Sequence, residues 1–355
     1  MKRFGNLYPA VYDLKNIALA HENARRGKAH YGEVRHIDKE PDKYFAIIHE
    51  ALKKKIFVNS PYETFRRIEG GKERKIFKLP YFPDRIIHHC ILQVIGPMWT
   101  STLISDTYAC VRGRGIHKGV ERLKSALRDK AGTAYCLKCD VTKFYPSVDH
   151  EILRKRVRSK IKDKDLLWLL DTIIDSTDGV PIGNYLSQHF GNIYLSGLDH
   201  WMKEARKCRH YFRYCDDMVV LHADKRFLHK LREDMQAYLA DELKLDLKSN
   251  WQIFPVESRG IDFLGYRFFH DYALLRKSIA GRIKKKVQTI RRDWRKMRAP
   301  EIISGVMSYY GWMKHANCLH LLKSVLDEDI LRIVEKVCLA NGISNPLRKI
   351  PGVAT

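Results

Sequence analysis

The chain has 355 residues, of which 65 are Lys or Arg and 41 Asp or Glu, for a formal charge of +24. That excess is the footprint of a nucleic-acid binder, and 45% hydrophobic residues leave enough material for cores, so the length reads as two or three packed subdomains. No uninterrupted apolar run approaches the ~20 residues of a membrane helix, and residues 1–7 lack an apolar signal core, so a cytoplasmic protein is expected.

Residues 12–28 read as a helix, and so do 41–55, where Pro41 suits a first turn. Residues 75–79, closed by Pro80, have the length and alternation of a strand, and 134–139 form another strand-like run that ends in Asp140. Beyond it, Leu153, Val157 and Ile161 at four-residue steps and the apolar stretch 166–174 predict two helices. Gly183 opens a longer one that carries Leu186, Phe190, Ile193, Leu198 and Met202 toward a core. The aromatic and β-branched runs 210–213 and 218–221 predict a hairpin, with a helix behind it marked by Phe227, Leu231, Met235 and Leu239. Strand-like runs at 251–254, 263–269 and 272–275 follow, and then three helices. The first of these is amphipathic, with Ile283, Val287, Ile290, Trp294 and Met297 spaced between basic residues. This order fits an antiparallel sheet backed by helices, an α+β arrangement. There is no internal repeat and no low-complexity linker.

Cys136 and Cys139 form a C-x-x-C, but no second pair or His follows at zinc-ligand spacing, so they read as core residues and the eight cysteines report no oxidising compartment.

The chemistry concentrates in acids. Tyr214-Cys215-Asp216-Asp217 sets two adjacent carboxylates at a hairpin tip, which is costly unless a cation or an Arg or Lys lies close. Asp also favours turns for its own backbone bonding, so the pair alone is equally a polar turn. Asp140 changes that balance. A strand ending in Asp beside a hairpin tipped with Asp-Asp offers the hard oxygens that two Mg²⁺ ions need, with sites left for water and substrate phosphates.

These two segments resemble the palm motifs of reverse transcriptases, and the likeness runs in order along most of the chain. Lys72-Glu73-Arg74-Lys75-Ile76-Phe77-Lys78-Leu79-Pro80 with Asp84-Arg85-Ile86-Ile87 is similar to the fingers motif, and Tyr108-Ala109-Cys110-Val111-Arg112-Gly113-Arg114-Gly115 to the segment after it. Pro181-Ile182-Gly183-Asn184-Tyr185-Leu186-Ser187-Gln188 resembles the Gly-x-x-x-Ser nucleotide-pocket motif. Leu247-Lys248-Ser249-Asn250 and Asp262-Phe263-Leu264-Gly265-Tyr266 look like the last two palm motifs, the second being the primer grip. The resemblance implies a right-hand polymerase of the α+β class, with fingers, an antiparallel-sheet palm backed by helices, and a helical thumb. Residues 1–130 would be an N-terminal extension and fingers, 131–275 the palm (about 150–185 returning to the fingers), and 276–355 the thumb.

The same resemblance implies an RNA-directed DNA polymerase with catalytic Asp140, Asp216 and Asp217. Two Mg²⁺ ions, with Mn²⁺ as a substitute, would sit on Asp140, Asp216 and the Val141 carbonyl, and Asp217 belongs in the family often to the outer shell. Lys72, Arg74 and Arg112 would close on the triphosphate, where dense negative charge asks for cations. Lys248 matches a position proposed to protonate leaving pyrophosphate, although an exposed Lys at a helix end is an equally ordinary reading. Tyr145 falls at the steric-gate position, its ring under the incoming sugar while Phe144 faces the core. Phe263, Leu264 and Gly265 would form the primer grip. Arg282, Lys284, Lys285, Lys286, Arg291, Arg292 and Arg295 would track the phosphates of a template-primer duplex, where otherwise they are a solvated face.

The departure is at Ile182, where most reverse transcriptases carry Gln, and at Gln188, which follows the motif's Ser in place of Pro. Together with Gly183 these define a nucleotide pocket that looks like that of diversity-generating retroelements, whose enzymes copy a template RNA with frequent errors opposite adenine. Exchanging Gln for Ile removes an amide beside the nascent base pair, and discrimination built on polar contacts goes with it. The resemblance further implies dNTPs, a template RNA, its RNA/DNA duplex and a small basic accessory protein as partners. A group II intron-type or CRISPR-associated reverse transcriptase of ordinary fidelity is the alternative, and an inactive RNA-binding relic is the non-enzymatic one. Intact Asp140, Asp216 and Asp217 argue against the relic, and the blocking Tyr145 argues against an RNA-dependent RNA polymerase.

Overall fold

Asp13 starts the first expected helix two residues late, and a separate short helix precedes it. Its backbone leaves helical geometry (φ −58°, ψ 134°) and its carboxylate accepts from Lys15 N at 2.9 Å and Asn16 N at 3.3 Å, so Tyr8–Tyr12 and Leu14–Ala24 replace a single helix over 12–28. A computed structural model describes residues 3–69 and 71–349, apart from the side chains of Glu69, Lys72 and Lys349. After the helix Pro41–Lys53, strands β1 (Glu63–Glu69) and β2 (Lys72–Lys78) pair antiparallel, from Glu63 opposite Lys78 to Glu69 opposite Lys72. The sequence signals only β2. β1 is rich in charge and buries no face, with Ile68 77% exposed, so it lacks the alternation that marks a half-buried strand.

Helices Ile86–Ser101 and Ile116–Leu127 lead to β3 (Tyr135–Asp140). The next two helices, His150–Arg158 and Lys164–Ile174, each start at an Asp that accepts from the first turn, Asp149 from Ile152 N and Asp163 from Asp165 N and Leu166 N. Then come the helix Ser187–His200, the strands β4 (His210–Tyr214) and β5 (Asp217–His222), and the helix Lys225–Leu243. Strands β6 (Gln252–Pro255), β7 (Ile261–Phe263), β8 (Tyr266–Phe268) and β9 (Ala273–Leu275) follow. One sheet has the order β4-β5-β3-β6, with β3 antiparallel to β6; a second is the antiparallel meander β7-β8-β9. Cys136 and Cys139 on β3 are buried core residues.

The run 263–269 is not the single strand its composition suggests. Phe263 pairs with Tyr266 and the two residues between them, Leu264 and Gly265, both have positive φ (52° and 85°), the signature of a tight hairpin turn. A Cβ on Gly265 would lie 2.7 Å from atoms of Ile279 and Trp312, so close packing fixes glycine there as firmly as the turn does.

The chain divides into two compact units. The first takes the described residues of Met1–Gly115 with Cys139–Met218 and His229–Trp251; the second takes Ile116–Lys138, Val219–Leu228 and the described residues of Gln252–Thr355. The second unit ends in four helices where three were expected: Lys277–Asp293, Ala299–Met313, Leu319–Val325 and Glu328–Ala340. In the first of these, Ile279, Ile283, Val287 and Ile290 form the buried stripe while Arg282, Lys284 and Lys285 are exposed and Lys286 is half-buried. Arg291 turns back to an ion pair with Asp327, Arg292 pairs with Asp293, and Arg295 lies over the Trp294 ring, in the 3₁₀ turn Trp294–Lys296 that follows the helix.

Candidate active site

The β4–β5 turn is short enough to fix its acids. Cys215 takes a positive φ of 54°, uncommon for a residue with a side chain, and Asp216 and Asp217 follow it directly. Asp140 closes β3, whose path continues as a bridge between Val141 and Leu247: Lys248 N donates to Asp140 O and Thr142 N to Asp246 O, both at 2.8 Å. These two bonds pass on either side of Val141, whose own carbonyl takes no part in them.

Asp140 and Asp216 are brought within reach of each other. Burial first, and then the Asp140 carboxyl, push the Asp216 carboxyl up to about 7. Lys248 is no exposed helix-end lysine. Its ammonium is partly buried and donates to Asp140 Oδ2 at 2.5 Å, while Asp140 Oδ1 is buried with no donor. Two carboxyls sharing one site, with an oxygen left without a donor, form a set that suits a hard divalent cation. Asp217 opens β5 and lines a large cavity together with Asp216, while Asp140 and Lys248 are not among the residues that line it. Among the described residues no group of three His, Cys, Asp or Glu side chains is placed to hold a metal ion.

The cavity, about 1570 Å³, lies wholly in the first unit. Arg74 and Arg112 line it and are exposed; the Lys72 side chain lies outside the described residues. Tyr145 also lines it while Phe144 is 3% exposed in the core, although the backbone here is a 3₁₀ turn (Tyr145–Ser147) and not the alternating strand expected, and the two rings stay in contact with centres 5.1 Å apart. The Tyr145 hydroxyl lies beside the Cys215 thiol, itself pushed up to about 11 by burial.

Gly183 does not open a helix. Its φ of 117° is outside helical space, and a Cβ there would lie 2.4 Å from Phe77 O on β2. Asn184 Oδ1 accepts from Leu186 N at 2.9 Å, Ser187 Oγ donates to Pro181 O at 2.5 Å, and the helix begins only at Ser187. This loop presents Ile182 and Gln188 to the cavity, with Phe77 N donating to Ile182 O at 2.7 Å and the Cys110 thiol meeting Gln188.

Phe263, Leu264 and Gly265 belong to the second unit, where Phe263 and Leu264 are buried, and so do the basic residues Arg282 to Arg295. Sequence reasoning missed part of the cavity wall. Arg26 and Arg85 add two guanidiniums, and His89 stacks on Tyr185 with ring centres 4.0 Å apart. Arg85 and Tyr185 stand inside quoted motifs, but only the fold turns them into one wall. Burial holds His89 and His189 down to about 4 and the neighbouring His88 to about 3.

That depression has a sign. Below the ordinary imidazole range the unfolded chain takes up three protons that the folded chain refuses, so stability present above about pH 6.5 is lost as pH falls toward 4. Denaturant midpoints measured across pH 7 to 4 should fall steadily, and His88→Phe should flatten the slope by about one proton.

Residues 67–268 match the family described as reverse transcriptase (RNA-dependent DNA polymerase). That is more than half of the chain, which therefore belongs to this family. Protein YkfC of Escherichia coli is 26% identical over 243 residues, 56% of this chain and 64% of YkfC. The group II intron-encoded protein LtrA of Lactococcus lactis subsp. cremoris is 18% identical over 294 residues, 61% of this chain and 48% of LtrA. The chain thus spans less than two thirds of the length of either relative. A solved telomerase from Candida albicans, in complex with a fragment of telomeric RNA, superposes with a TM-score of 0.50 at 11% identity, covering 84% of this chain and 61% of that one. At that identity the likeness speaks to the fold, which is the α+β right-hand polymerase fold.

Proposed function

We propose that the chain is an RNA-directed DNA polymerase that copies a template RNA into cDNA, with frequent errors opposite template adenine, in a diversity-generating retroelement. The meeting of Asp140 and Asp216, in a chain of this family, carries the polymerase reading. Asp140, Asp216, the Val141 carbonyl and Asp217 would hold two Mg²⁺ ions, for which Mn²⁺ substitutes. When bound, such ions stabilise the attacking and leaving oxygens of nucleotidyl transfer.

The protein's own groups do the rest. Arg74 and Arg112, joined by Arg26 and Arg85 and with Lys72 beside them in sequence, hold the triphosphate. The Tyr145 ring, beside Cys215, excludes a 2′-hydroxyl. Lys248 starts from an ion pair with Asp140 and gives a proton toward the departing pyrophosphate. Gly183 admits β2 to the pocket, and Ile182 and Gln188 shape the wall beside the incoming base. Residues 1–130 act as extension and fingers, 131–275 as palm and 276–355 as thumb, of which residues 1–2, 70 and 350–355 lie outside the described residues. The Phe263 to Gly265 turn grips the primer, and Arg282, Lys284 and Lys285 are free to track duplex phosphates, whereas Arg291 and Arg292 reach them only by leaving Asp327 and Asp293. Template RNA, dNTPs and a small basic accessory protein are the partners, and the cytoplasm is the place. No helix among the described residues is long and apolar enough to cross a membrane.

Primer extension on an RNA template with Mg²⁺ tests the polymerase; a parent chain that adds no dNTP under these conditions sinks it. Ile182→Gln tests the mutagenic reading. With the accessory protein added, sequenced cDNA should show misincorporation opposite adenine falling about tenfold, and activity changing by less than about threefold, because an amide restores polar discrimination without touching a carboxylate. If the parent copies adenine as accurately as the other bases, the chain is a reverse transcriptase of ordinary fidelity and of the group II intron type, the second reading, which the likeness to LtrA favours.

A further inference from the structure

We propose that Arg213, through its buried pair with Asp199, is the positioning residue for the Asp216 carboxylate, and that through Asn192 it also sets the Cys110 side of the cavity; this rests on the polymerase reading. Both charged side chains are completely buried. Arg213 Nε donates to Asp199 Oδ1 at 2.7 Å and Nη2 to Oδ2 at 2.6 Å, and Tyr211 Oη at 2.8 Å and Thr107 Oγ1 at 3.3 Å complete the carboxylate's shell. A buried ion pair is weak evidence for stability, since apolar residues of similar volume often serve as well. What an apolar pair could not do is supply the remaining donors. Arg213 Nη1 reaches the Cys215 carbonyl at 2.9 Å and Asn192 Oδ1 at 3.2 Å.

Those two bonds end where backbone geometry is demanding. Cys215 is held at φ 54° and its carbonyl lies in the peptide bond to Asp216, so a donor on that oxygen fixes the plane from which the carboxylate projects. Asn192 Nδ2 donates in turn to Ala109 O at 2.7 Å, next to Cys110, which has φ 50° and meets Gln188. One planar fork therefore braces the acid turn and the loop across from it. Lysine would bring the charge but not the fork.

The test uses the full chain as two variants, Arg213→Lys and the apolar exchange Asp199→Met/Arg213→Met. Two readouts are compared with the parent at equal Tm: Mn²⁺ affinity of the nucleic-acid-free protein by electron paramagnetic resonance, and kcat and KM for dNTP in primer extension. Misplacing a reacting group by about an ångström costs on the order of 10²-fold. Mn²⁺ affinity should fall about tenfold and kcat about 10- to 100-fold, while KM for dNTP stays within about threefold. Folded variants that bind Mn²⁺ and extend primers like the parent overturn the proposal, and Arg213 is then a packing element. Should the double variant not fold, Arg213→Lys, which keeps the buried charge paired, decides by the same readouts. A parent that binds Mn²⁺ but never extends a primer defeats the polymerase reading, and the Mn²⁺ comparison still decides the positioning role.

Discussion

The Asp216→Asn protein is expected to make no Mg²⁺-dependent cDNA, a loss of at least about 10³-fold or some 4 kcal/mol of barrier, while binding RNA as the parent does. The exchange is nearly isosteric and the turn is already braced by Arg213, so the fold has no reason to change. It removes one of two carboxylates that share a site, and it leaves the basic surface, which carries affinity for phosphates, intact. Primer extension and filter binding measured side by side decide it. Undiminished extension would remove Asp216 from the machinery, and parallel loss of RNA binding would point to misfolding.

Tyr145→Ala should cut the preference for deoxynucleotides about 10²-fold, read as the ratio of kcat/KM for dNTP to that for rNTP. The ring is largely enclosed, lines the cavity and has its hydroxyl beside Cys215, so it stands as a wall where the proposal puts the incoming sugar. Removing it opens space without altering a carboxylate. An unchanged ratio would show that sugar selection lies elsewhere, and Tyr145→Phe, which keeps the wall and loses only the hydroxyl, should stay within about threefold of the parent.

What the sequence made legible was whatever depends on local pattern. The hairpin with Asp216 and Asp217 at its turn, Asp140 closing β3, and the apolar stripe from Ile283 to Ile290 all follow from alternation, helical spacing or turn length, whereas the 3₁₀ turn at Tyr145 is not an alternating strand. Long-range pairings were not legible. β1 has no buried face, so only its partner strand reveals it, and the break at Asp13 turns on a cap that competes with a continuous helical pattern. At Gly183 the following apolar period mimics a helix start, whereas the approach of Phe77 O, far away in sequence, sets its conformation. Arg213 and Asp199 stand 14 residues apart with no signature, and Arg213 read as an ordinary strand residue before its burial was known.

The contact between β2 and the pocket loop makes two properties inseparable. Phe77 N is bonded to Ile182 O, and Gly183 lies under Phe77 O, so the strand that carries Arg74 is stitched to Ile182, the residue proposed to stand beside the incoming base. A laboratory selection for altered accuracy would therefore recover changes in residues 74–77 as readily as at 182, and libraries that vary one segment against a frozen partner would sample mostly broken seams. Randomising the strand and the loop jointly is the economical search, because the two behave as a single heritable module despite the hundred residues between them.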